Sequence, residues 1–326
     1  MPRIVPILLQ IERSGSQAKT PAQAVGLCAS WALDNVFPSY NRDFSVDVEG
    51  TRGVNVILNP EDSAGEIKLG RNGLVVRSDT LEFASIRATA CVTEGVWFYE
   101  VTLLSPGIMQ IGWATRNCRF NSAEGYGVGD DLNSFAYDGC RRKIWSAEGG
   151  LPYSKQTWKA GDVVGALLDL DQGRACFFLN GVDLGPSSGV DSAVLRRLAG
   201  DGLFPAISMM TFEHCIFNFG CGGNFCFPPK QPFRGLNEAG QLEEGRKTIV
   251  PKLAKPSMVP FPPNEGEDAR PTCQICCALP PNTRLIPCGH QGFCFQCTLQ
   301  CEICPICRRK IENRDVEKEI AEQVTR

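Results

Sequence analysis

Near its C-terminus the chain reads PCGHQGFCFQCTLQCEICPIC, from Pro287 to Cys307. Of its seventeen cysteines, nine fall between Cys273 and Cys307, and one of only two histidines lies among them. The spacing is regular. Cys273-x2-Cys276 is followed, after eleven residues, by Cys288-x-His290; then come Cys294-x2-Cys297 and, six residues on, Cys304-x2-Cys307. Each Cys-x2-Cys pair closes a tight knuckle whose two sulfurs reach one ion. Eight such ligands make two tetrahedral sites, and thiolate with imidazole is the donor set that suits zinc. A set of buried or redox cysteines would leave four pairs in register unexplained. A segment this short has too little core to fold alone, so two Zn2+ would supply its folding free energy. Cys277 and Cys301 break the pair spacing and are expected to be spare.

The order C-x2-C, C-x-H, C-x2-C, C-x2-C resembles the RING finger of the C3HC4 type, over about 271–311. The resemblance implies a cross-brace. Cys273, Cys276, Cys294 and Cys297 would hold one zinc; Cys288, His290, Cys304 and Cys307 would hold the other. The gap of six residues before Cys304 is similar to the short RING fingers of inhibitor-of-apoptosis-type ligases. Many RING proteins are E3 ubiquitin ligases that hold an E2~ubiquitin thioester in a reactive pose, without a covalent nucleophile of their own. Three positions match the family's E2-contact pattern. Ile275 and Pro305 sit inside the first and last knuckles, and Arg308 follows the last ligand. The planar guanidinium of Arg308 suits bridging carbonyls of E2 and ubiquitin; the bland alternative is a solvated charge. One departure stands out: where many RING fingers place Trp or Leu, four residues after the sixth ligand, this chain has Cys301, with Leu299 nearby.

The middle of the chain follows a different rule. GVWFYEVTLL (95–104), IMQIGWAT (108–115), DVVGALLDL (162–170) and RACFFLNG (174–181) are apolar, β-branched or aromatic and lack helical period. Asn180-Gly181 is a hairpin signal, since a type I′ turn needs positive φ at both positions. Short strands with frequent turns predict a β-sandwich over 39–228. Trp97, Phe98, Tyr99, Trp113, Phe177 and Phe178 are expected to be core. GVWFYEV, QIGWA, GYGVGDDLNSFAYDG, LDLDQGRACFFLNG and FPAISM together resemble a SPRY domain, B30.2-like with its preceding strands. The resemblance implies a bent antiparallel sandwich that binds partner proteins through loops at one end. The Arg116–Asn121 loop and the Arg141–Lys143 cluster are candidates, the latter also readable as a solvated basic turn. Asp130 and Asp131 lack a converging third ligand and read as turn residues. His214, far from the cysteine register, reads as a core or rim histidine.

Residues 1–38 read as helical, with Thr20 as a candidate N-cap and Pro21 at the first helical position. Residues 229–270, rich in Pro, Gly and charge, read as a flexible linker. The tail 312–326 reads as a helix on which Val316, Ile320 and Val324 form a stripe that could pair two RING fingers or pack on its own domain. A net charge of −3 gives no reason to expect nucleic acid. No apolar run approaches the ~20 residues of a membrane helix. The stretch Ile4–Ile11 is short for a secretion signal, and the eight remaining cysteines suit buried thiols in a reducing cytoplasm.

The expected architecture is mainly β: a SPRY-like sandwich, a small cross-brace zinc domain and a short helical N-terminal segment. The combination resembles the RING finger and SPRY domain-containing proteins. It implies an E3 ligase whose SPRY domain recruits a protein substrate while the RING finger brings E2 and ubiquitin. The alternative is a non-catalytic scaffold that uses both domains for binding.

Overall fold

Strands β1 to β15 and three helices arise from the first of two units into which the chain divides, Met1–Lys255 and Pro256–Arg326. The computed structural model describes residues 4–15, 21–37, 52–147, 149–243, 246, 247, 249, 273, 280–299, 301–304 and 309–316. Helices α1 (Ile4–Gly15) and α2 (Pro21–Asn35) come first. The strands follow: β1 (Leu58–Ala64), β2 (Ile67–Leu69), β3 (Val75–Ser78), β4 (Ala84–Ala88), β5 (Val96–Leu103), β6 (Met109–Ala114), β7 (Ser134–Asp138), β8 (Lys143–Ser146) and β9 (Gly149–Pro152). Then come β10 (Val163–Asp169), β11 (Arg174–Leu179), β12 (Val182–Pro186), helix α3 (Ser192–Gly200), β13 (Phe204–Met209), β14 (His214–Asn218) and β15 (Arg234–Gly235).

Among the described residues one sheet runs β1-β4-β13-β6-β7-β8-β9 and the other β12-β11-β10-β5-β14-β3-β2. These neighbours are antiparallel, and the inner faces form one core. Tyr99 lies at its centre, its ring 5.1 Å from that of Trp113 and its hydroxyl donating to the Gly112 carbonyl at 2.7 Å. A buried hydroxyl needs such a partner. The β11–β12 hairpin turns at Asn180 and Gly181, with φ of 51° and 79°, as a type I′ turn requires.

The six aromatics expected in the core are all buried, but they do not all share one face. Trp97, Tyr99, Trp113 and Phe177 join the inter-sheet core. Phe98 and Phe178 alternate to the outer face, where Phe225 and Phe233 cover them with ring centroids 5.1 and 5.2 Å from Phe98. The side chain of Glu100, also buried, accepts from the backbone N–H groups of Cys226 (2.7 Å) and Phe227 (2.6 Å) and pins that cover down.

This revises the expected linker. The chain does not leave the sandwich at 228. β15 pairs in parallel with Trp97 and Phe98 of β5, beyond the point where β14 stops pairing at Glu100. Leu236 is fully buried, and the Asn237 side chain bonds the Asn55 N–H (2.7 Å) and the Gly53 carbonyl (2.8 Å). The Ile249 N–H still reaches the Arg71 carbonyl. Residues 244, 245, 248 and 250–270, the rest of the expected linker, lie outside the described residues. In the N-terminal segment the ring of Trp31 on α2 stacks beneath the Lys68 ammonium, 5.0 Å from the centroid, which carries the helix onto β2. No described helix is long and apolar enough to cross a membrane.

His214 is buried on β14, with neither ring nitrogen hydrogen-bonded among the described residues. Burial, helped by the charge of Arg77 and opposed by that of Asp79, pushes its pKa down to about 4. The unfolded imidazole takes its proton near the ordinary value of about 6.5, while the folded one resists until about 4. The unfolded state therefore binds more protons in that window, and stability falls as pH drops through it. Chemical denaturation between pH 7 and 4 should show this loss in the wild type and less of it in His214→Phe. Leu236→Ala, in the supposed linker, should destabilise the sandwich by about 2–5 kcal/mol in the same assay.

Candidate metal centre

In the C-terminal unit β16 (Thr283–Ile286) pairs antiparallel with β17 (Asn313–Val316), and the short helix α4 (Phe295–Leu299) lies between them in sequence. Among the described residues its core holds three carbon side chains, Leu285, Phe293 and Ile311, besides Cys273, Cys294 and Cys304. Burying three such groups contributes roughly 6 kcal/mol. Ordering some forty residues costs several times that at about 1 kcal/mol each. Another source of folding energy is required.

The potential ligands supply it. One ligand atom each from Cys273, Cys294 and Cys297 lies within 4.8 Å of the other two, and the same holds for Cys288, His290 and Cys304. Tetrahedral zinc with Zn–S bonds of about 2.3 Å places sulfurs about 3.8 Å apart, so the groups are of the right size. His290 Nδ1 is buried without a hydrogen-bond partner among the described residues, as a metal-directed nitrogen would be. The clusters interleave along the chain: Cys273 passes over Cys288 and His290 to join Cys294 and Cys297, while the skipped pair joins Cys304.

Local structure explains the aim of these groups. Gly289, between Cys288 and His290, has φ of 75° and allows the turn that points both side chains inward. The Asn282 side chain accepts from the Phe295 N–H at 2.9 Å and so holds the start of α4, just after Cys294. Cys301, expected to be spare, joins neither cluster; its thiol donates to the Cys297 carbonyl at 3.4 Å. Cys276, Cys307 and the three expected E2 contacts Ile275, Pro305 and Arg308 lie outside the described residues, as does Cys277.

The tail differs from its expected helix. Residues 313–316 are strand β17, because their backbone completes the ladder with β16. Val316 of the expected stripe lies on that strand, and Ile320 and Val324 are outside the described residues. Sequence reasoning also missed Arg314, whose Nε and Nη2 donate to the carbonyls of Thr298 (2.8 Å) and Cys301 (2.6 Å). Nothing in a polar tail signals such a contact.

Residues 96–222 match the SPRY domain family, and residues 269–314 match the family described as zinc finger, C3HC4 type (RING finger). The chain contains a SPRY domain, at 96–222, followed by a C3HC4 RING finger, at 269–314. A RING finger is a zinc-binding fold, and the converging thiols and imidazole fit that metal. The chain is also similar to the E3 ubiquitin-protein ligase RKP of Arabidopsis thaliana, with 38% identity over 221 residues. The match covers 64% of this chain and 16% of that protein, so the chain spans a small part of the relative's length.

The loops of the SPRY domain resolve the remaining candidates. Asp131 accepts from the N–H of Asn133 and of Arg119, and Asp130 from that of Gly127, so both carboxylates hold turns. The 116–121 loop is anchored from beneath by Arg87, which pairs with Asp62, donates to the Thr115 and Cys118 carbonyls, and lies 4.3 Å from the Phe120 ring centroid. Arg141 is not simply solvated: it pairs with buried Asp138 and stacks 4.1 Å over Trp145. Sequence reasoning missed three exposed apolar side chains, Leu81 (90% exposed), Phe212 (63%) and Tyr126 (52%). Their loops are tied together, Thr211 and Phe212 donating to the Thr80 and Ser78 carbonyls and Ser122 to Glu82.

Two exchanges of sulfur for oxygen test the metal centre. Cys294→Ser should lose bound zinc by chelator titration, whereas Cys301→Ser should keep the wild-type content.

Proposed function

We propose that the protein is a RING-type E3 ubiquitin transferase. In this reading Cys273, Cys276, Cys294 and Cys297 hold one zinc, and Cys288, His290, Cys304 and Cys307 the second. The observation that carries it is the interleaved convergence of six of these ligands. Interlocked ions stiffen a small surface, and a rigid surface is what orientation catalysis needs. Ile275 and Pro305 pack on E2, and Arg308 bridges E2 and ubiquitin. The similarity to a relative named as an E3 ubiquitin-protein ligase supports the same activity.

The SPRY domain recruits the protein substrate. The exposed Leu81, Tyr126 and Phe212 support this, since large apolar side chains on tied loops are costly to leave in water and well suited to a partner. Phe212 is held at φ of 67°, a conformation that bulky residues rarely adopt. Free buried thiols at Cys118, Cys176 and Cys215 support a reducing compartment, the cytoplasm. A RING homodimer through the tail that follows β17 belongs to the same reading.

A non-catalytic scaffold is the second reading. It is favoured by Cys301, whose thiol turns back to Cys297 where many RING fingers offer a large apolar side chain to E2. Auto-ubiquitination with E1, ATP, ubiquitin and a panel of E2 enzymes separates the two. The ligase reading expects ladders that fall by about tenfold or more in Ile275→Ala and in Arg308→Ala. Protein that holds two zincs yet builds no ladder with any E2 would be a scaffold.

A further inference from the structure

β17 lies beyond the last metal ligand, yet it is tied to both halves of the RING finger. Its backbone pairs with β16, which leads directly into Cys288 and His290. Its Arg314 side chain reaches the other half, to the carbonyl of Thr298 in the last turn of α4 and to that of Cys301 two residues beyond the helix. The last carbonyls of a helix lack intrahelical donors, and a cation there is favoured. A guanidinium presents two parallel donors from one rigid plane, so a single side chain fixes two carbonyls of one turn.

That turn begins a span of six residues between Cys297 and Cys304. Its two ends belong one to each ligand group, Cys297 to the first and Cys304 to the second. Near the far end the Ile311 N–H holds the Glu302 carbonyl at 2.9 Å. At the near end Thr298 bonds back into α4, its N–H to the Cys294 carbonyl (3.2 Å) and its hydroxyl to that of Phe295 (2.7 Å), while Cys301 bonds back through its N–H to the Thr298 carbonyl (3.2 Å) and its thiol to that of Cys297 (3.4 Å); Arg314 is the described side chain that reaches this end from beyond Cys304. The span exposes Leu299 (59%) and Ile303 (51%), and neither apolar side chain has a place in the small core.

We propose that Arg314 is a positioning residue for E2 docking, which rests on the ligase reading. It holds the Leu299–Ile303 span in one geometry, so that these side chains meet E2 without an ordering cost at each encounter. Cys301 contributes its carbonyl to this clamp rather than a side chain to the docking surface. Lysine at 314 keeps the charge but offers a point donor in place of the fork.

The test is steady-state discharge of E2~ubiquitin onto free lysine by the full chain, with E2~ubiquitin varied and zinc content measured beside it. Arg314→Ala should keep its zinc, raise KM by about tenfold and leave kcat within about twofold. Arg314→Lys should recover part of the KM. A zinc-replete Arg314→Ala with wild-type KM overturns the proposal. So does loss of zinc from both variants, which would make Arg314 a strut of the fold alone. Zinc-replete wild type that discharges no E2 sinks the ligase reading, and this inference falls with it; in the first two outcomes the ligase reading stands.

Discussion

Thiolate and imidazole groups tie the C-terminal unit across the chain rather than along it. Cys273 meets Cys294 and Cys297 over a stretch that contains Cys288 and His290, and those two meet Cys304 over a stretch that contains Cys294 and Cys297. Each closure traps a ligand of the other. With three carbon side chains in the core among the described residues, this interlocking carries much of what holds the segment together. The short helix α4, the β16–β17 ladder and the Arg314 clamp then refine positions that the ligands have already brought together.

The SPRY domain solves the same problem by burial. Its central strand β5 is sheathed on both faces: Tyr99 and Val101 face the inter-sheet core, while Phe98 and Glu100 face the cover formed by residues 225–235. A buried carboxylate is costly unless its oxygens are matched, and Glu100 is matched by two backbone donors that would otherwise lie at a loop end. The hydrogen bonds that satisfy the charge are therefore the ones that hold the cover in place. Sheet, cover and β15 form one cooperative unit through a single strand.

What could be read from the residues follows from how local the cause is. Cysteine spacing encodes ligand reach directly, so the candidate ligands were legible before any fold was known; their division into two interleaved groups came from the resemblance to a RING finger and not from spacing. Asn180-Gly181 encodes a backbone conformation, and the hairpin was legible for the same reason. The 225–249 segment was not, because Phe225, Phe233 and Leu236 each plug a separate site and share no period. Its prolines and charges look like those of a linker. The tail 313–316 shows the opposite failure: a helical stripe was visible, but pairing with β16 decided the backbone. Arg314 and Glu100 were invisible because their partners are main-chain groups, which sequence does not mark.

The state of the remaining thiols bears on the chemistry. Transfer of ubiquitin through a covalent enzyme intermediate needs an accessible cysteine that is readily deprotonated. Burial instead pushes Cys118 up to about 12 and Cys176 to about 11, and raises Cys215 well above the ordinary thiol range. Cys91, Cys140 and Cys226 are also shifted upward, chiefly by burial. These thiols stay protonated at neutral pH and are poor nucleophiles. Within the RING finger, the described cysteines other than Cys301 face each other in the two ligand groups, and Cys301 turns to a carbonyl. Among the described residues these thiols go to packing and to the two ligand groups, which is in keeping with the proposed ligase reading, in which the protein orients a thioester carried by another enzyme.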